Sequence, residues 1–68
     1  MATASWKDKT LPEVREEIID QVERLYLQMV LRRTKGRVAK AAEIAGIHAR
    51  ALHNKMKRLG IRKESFKH

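Results

Sequence analysis

Arg50, His53, Asn54 and Lys57 are the residues of this chain whose types and spacing suggest a chemistry. They stand 3, 1 and 3 apart, which on an α-helix gathers them on one face. Each can donate a hydrogen bond to a base edge or a phosphate. No catalytic set accompanies them: the sequence offers no Ser/His/Asp arrangement, no paired carboxylates in a groove and no phosphate-cradling glycine loop. His48 and His53 are five apart, off the i, i+4 spacing of a shared helical metal site, and no acid or cysteine stands near them. The chain is therefore expected to bind rather than catalyse, with no cofactor and no metal.

A cationic helix face is ordinarily just a solvated surface, so the distribution of charge has to decide. Of the 68 residues, 1–31 carry four basic groups against six acidic ones, a balance of −2. Residues 32–68 carry twelve basic groups against Glu43 and Glu64, a balance of +10. Such asymmetry points to an anionic partner for the second half and another task for the first. RNA read as a single strand calls for exposed aromatics. Trp6, Tyr26 and Phe66 are the only aromatics, and none falls in the Arg50–Lys57 stretch. Duplex DNA is the expected partner.

The elements that must hold this face follow from periodicity. Thr10-Leu-Pro-Glu13 has the form of a helix start, with Thr10 as cap, Glu13 reaching back and Pro12 in the first turn. Leu11, Val14, Ile18, Val22, Leu25 and Met29 then recur three or four apart, the spacing of an apolar helical stripe. Ile19, Tyr26 and Val30 form a second row, and Leu27 and Leu31 widen it. This predicts a long helix over 11–34, with more apolar surface than one short neighbour can cover. Gly36 is expected to end it. Alanine-rich Val38–Ala45, closed by Gly46, gives a short second helix. A third, about Ala49 to Leu59, is closed by Gly60, with Leu52, Met56 and Leu59 facing inward and Ile47 beneath. Residues 1–10 are expected to be flexible and 62–68 a disordered basic tail.

Two short helices joined by a glycine-containing turn form a helix-turn-helix over 37–61, in which the second helix enters the major groove. On this reading Arg50, His53, Asn54 and Lys57 face the bases, while Arg37, Lys40, His48, Lys55 and Arg58 reach phosphates.

Residues 26–61, YLQMVLRRTKGRVAKAAEIAGIHARALHNKMKRLGI, resemble the Fis-type helix-turn-helix, which also forms the C-terminal domain of NtrC-like activators of sigma-54 RNA polymerase. The likeness lies in Arg33-Thr34-Lys35-Gly36, Ala41-Ala42, Gly46-Ile47, Leu52, Lys55, Met56 and Leu59-Gly60-Ile61. The resemblance implies an all-α module that acts as a homodimer, paired through Val14, Ile18, Val22, Leu25 and Met29 of the long helix. It implies two units in successive major grooves of a partly palindromic site, in cytoplasm and nucleoid. The rest of a larger activator and the sigma-54 polymerase are further partners it suggests; a freestanding nucleoid protein that bends DNA is the alternative. Family members usually carry Ser or Asn, then Arg, at the start of the recognition helix, and Thr just before the family's Leu. Here His48, Ala49 and Ala51 stand there, so a different site preference is expected.

Length fits a dimer. A chain this small buries only about 60% of the surface it exposes unfolded, and with no cysteine it has no disulfide to make up the difference. In the family a further helix precedes the long one and shares the interface. Residues 1–10 are too short to replace it fully, so Trp6 either substitutes in part or shields the end of the long helix. No apolar run is long enough to span a membrane.

Overall fold

Thr10 begins the first helix as its spacing requires. Its hydroxyl accepts the Glu13 N–H at 3.4 Å, while its own N–H donates to the Glu13 carboxylate at 3.3 Å. The Thr10 hydroxyl also donates to the Glu13 carboxylate at 2.9 Å, and this bond, followed by the one from the Thr10 N–H, holds the exposed Glu13 carboxyl below its ordinary value. In the computed structural model, which describes residues 4–67, helix α1 runs Leu11–Arg33. Helix α2 is Val38–Ala45 and α3 is Ala49–Leu59. No strand occurs among the described residues, so the architecture is all-α, a long helix followed by a helix-turn-helix.

All three helices stop the same way. In each, one N–H bonds back three residues and the next bonds back five: Lys35 to Arg32 and Gly36 to Leu31, Gly46 to Glu43 and Ile47 to Ala42, Gly60 to Lys57 and Ile61 to Met56. This pattern needs a left-handed residue at its turning point. Gly46 (φ 73°) and Gly60 (φ 70°) supply it after α2 and α3. After α1 it is Lys35 (φ 56°) that does so, and Gly36 (φ 81°) is left-handed as well. The Thr34 hydroxyl, buried here, donates to the Val30 carbonyl at 3.1 Å.

The core lies where the three helices meet. Leu27, Val30 and Leu31 of α1 pack with Val38, Ala41 and Ala42 of α2 and Leu52, Met56 and Leu59 of α3. Ala41 and Ala42 are what allow α2 to lie close to its neighbours. Leu31, Leu52 and Val30 are fully enclosed, each worth about 1.5–3 kcal/mol of transfer free energy. Only the C-terminal part of α1 joins this core, and its first half stands clear of it.

Both ends of the chain carry a short turn. Within the segment expected to be flexible, Ala4–Asp8 form a 3-10 turn; residues 1–3 lie outside the described residues. Within the segment expected to be a disordered tail, Lys63–Phe66 form a second 3-10 turn, and only His68 lies outside the described residues. The second turn is held by Phe66, which packs against the core. A lone aromatic without periodicity gives no sign of this in the sequence. Gly36 is the other half of the joint: a Cβ there would meet the Lys63 carbonyl oxygen at 2.6 Å.

Candidate nucleic-acid interface

Helix α3 divides into two faces. Leu52, Met56 and Leu59 are buried, and Arg50, His53, Asn54 and Lys57 are all exposed on the other side. The structure therefore brings the four expected base-facing residues together on one outward surface. His48, Ala49, Arg50, Ala51 and Asn54 line a shallow depression at the start of this helix. The alanines leave the backbone bare on that side, so a groove wall can approach closely.

The residues expected at phosphates separate into two groups. Arg37, Lys40 and His48 are exposed. Arg37 and Lys40 line a second depression with Arg33 and Lys35, at the turn between α1 and α2. Arg37 caps α2 and His48 caps α3 in extended conformation, and neither side chain bonds its helix's free N–H groups. Those N–H groups stay available to an anion beside the basic side chains.

Lys55 and Arg58 have carboxylate partners within the chain. The Lys55 ammonium binds both oxygens of Glu23, at 2.9 and 3.1 Å. Arg58 pairs with Asp20 and reaches Glu23 at 3.3 Å. Arg58 is thereby held even more firmly protonated than an ordinary arginine, chiefly by its hydrogen bond to Asp20. The reason is angular. Position 55 lies within a turn of Leu52 and Leu59 on α3, so its side chain is half-buried and points along α1. Sequence spacing missed Asp20 and Glu23 because they lie 32 to 38 residues away from the groups they hold.

The residues expected at a dimer interface lie on one side of α1. At 3.6 residues per turn, Ile18, Val22, Leu25 and Met29 point away from the side bearing Leu27, Val30 and Leu31. Leu25 is 69%, Val22 59% and Met29 44% exposed, whereas Val14 and Ile18 are half-buried within the chain. Among the described residues no group of acids and histidines is arranged to hold a metal, and no helix is long and apolar enough to cross a membrane.

This geometry agrees with what comparison finds. The family model of bacterial regulatory proteins of the Fis family matches residues 18–59, which takes in most of α1 and the whole of α2 and α3. No curated protein and no solved structure matches the chain. The helix-turn-helix of this family is a DNA-binding regulatory domain, not a catalytic one. With its matched helices, its glycine-closed turns and its outward basic face, the chain belongs to the Fis family of bacterial regulatory proteins.

Proposed function

We propose that the chain is a sequence-specific regulator of transcription that binds duplex DNA as a homodimer. In this reading it is the DNA-binding end of an NtrC-like activator of sigma-54 RNA polymerase, acting at the nucleoid. The observation that carries the reading is the face of Arg50, His53, Asn54 and Lys57, exposed on the second helix of a helix-turn-helix whose opposite face is locked in the core. Arginine suits guanine and asparagine suits adenine, each through two hydrogen bonds in the major groove. Arg37, Lys40 and His48, beside the uncapped helix ends, hold the phosphates on either side. Pairing through Val22, Leu25 and Met29 covers the apolar stripe of α1. That stripe continues into a groove of about 210 Å³ lined by Val22, Tyr26, Leu27, Ala45 and Ile47.

Selection of bound duplexes from a random pool tests this. Two half-sites about one helical turn apart, in partly palindromic order, are expected. The selected site should be preferred over random duplex by at least about 10³-fold at physiological salt. Arg50→Ala and Asn54→Ala should each relax preference at particular base pairs, at about 1–3 kcal/mol. Arg37→Ala and Lys40→Ala should weaken all sequences alike. A uniform loss in all four variants would overturn the assignment of the groove face. A much lower specificity ratio would favour a DNA-bending nucleoid protein instead.

A further inference from the structure

The family match ends at Leu59, yet the chain goes on in an ordered way. The turn Lys63–Phe66 is fastened at two points, by Phe66 on the core and by the close approach of Lys63 to Gly36. Its position follows from those fastenings. On one side it meets the α1–α2 turn, where Lys35 and Arg37 are exposed; the stem of Lys67 also lies over Gly36. On the other side Arg62 and Lys63 share a depression of about 250 Å³ with His53, Met56 and Lys57 of α3. The turn thus joins two regions that face DNA in the reading above, the start of α2 and the outer face of α3.

Its charges are also free to act. Arg62, Lys63 and Lys67 are exposed, and among the described residues none is in an ion pair. Glu64 lines the same depression but bonds neither Arg62 nor Lys63. Lys55 and Arg58 are in the opposite condition, each held by carboxylates of α1. Basic groups that are exposed, unpaired and fixed to a rigid core are those that exchange counterions for phosphates at least cost in ordering.

We propose that the C-terminal turn is a further DNA-contacting element, in which Arg62 and Lys63 hold backbone phosphates flanking the groove that α3 occupies. The inference rests on the groove reading of α3. The contact carries no base preference, because phosphates are alike at every sequence. It adds about two phosphates to the footprint of each copy.

The test is the salt dependence of binding to a random-sequence duplex of about 30 base pairs, with Arg62→Gln and Lys63→Gln introduced together. Each phosphate contact contributes about 0.9 to the slope of log affinity against log salt. The dimer carries two copies of the turn, so about four contacts are lost, and raising salt from about 50 to about 200 mM should cost the wild type on the order of a hundredfold more affinity than it costs the double variant. Both side chains are exposed and Phe66 is untouched, so the melting temperature should hold. Arg62→Lys with Lys63→Arg should keep the wild-type slope. Lys7→Gln, at the far end of the chain, should also keep it; an equal fall there would mean that bulk charge is being read, which overturns the inference. A wild-type slope in the Gln double variant overturns it too, even where Asn54→Ala relaxes base preference as the groove reading requires. If Asn54→Ala changes nothing while the double variant lowers the slope, the groove reading fails, and with it the place of the contact beside α3, while phosphate binding by Arg62 and Lys63 is retained.

Discussion

Lys35 occupies a backbone conformation that favours glycine, and Gly36 is glycine for a reason besides its conformation. The sequence places the end of α1 at Gly36 on the rule that glycine closes helices. The structure puts the closing left-handed residue one position earlier, at Lys35 (φ 56°), and leaves Gly36 facing the Lys63 carbonyl. No local pattern reveals this, because the group that demands the missing side chain lies 27 residues further along. The two positions should answer oppositely to substitution. Lys35→Gly is expected to stabilise the fold by up to about 1 kcal/mol, the left-handed penalty less the entropy that glycine loses on folding. Gly36→Ala should cost more than about 2 kcal/mol, since a blocked Cβ is added to a left-handed backbone, and should loosen the C-terminal turn. Thermal unfolding reads both, and an unchanged midpoint in Gly36→Ala would show that the joint with Lys63 gives way freely.

Among the elements, the helices themselves were legible and their mutual fastening was not. Capping at Thr10, the stripe of α1, the alanines of α2 and the two faces of α3 are local patterns, and each appears in the structure where its period or turn chemistry puts it. The clamp between α1 and α3 is a meeting of distant residues. Asp20 and Glu23 read as a helix N-terminal half rich in acid, and Lys55 and Arg58 as more of the basic face. Half-exposed pairs of this kind add little to stability. In the proposed reading their larger effect is to withhold two cations from phosphates. Glu23→Gln should therefore lower the unfolding free energy only slightly, yet tighten binding to random duplex and steepen its salt slope by up to about one unit as Lys55 is released. Lys55→Ala should leave the slope unchanged. A slope that falls by one in Lys55→Ala would show that the lysine leaves Glu23 for DNA.

For the molecule as a whole, the core is too small for the apolar surface the chain carries. Among the described residues ten buried apolar residues hold the fold, while Val22, Leu25 and Met29 form a stripe that no described residue of the same copy covers. Leu25→Asp places a charge in that stripe and should abolish binding to a duplex with two half-sites while halving the sedimenting mass. The wild type should melt at a temperature that rises with its concentration. A monomer mass in both proteins would sink the paired arrangement. The same long helix also sorts charge in space. At about 1.5 Å per residue α1 is about 34 Å long and accounts for most of the 40 Å extent of the molecule. Its acidic first turns project beyond the core, while Asp20 and Glu23 meet α3 and the rest of the basic helix-turn-helix gathers toward the other end. The chain is thus a permanent electric dipole as well as a cation. In the field of a duplex such a dipole should experience a torque as well as an attraction, which in the proposed reading turns the recognition helix toward the DNA before contact. In the proposed reading encounters should then begin largely in productive orientation, and added salt should slow association by removing the aim as well as the pull.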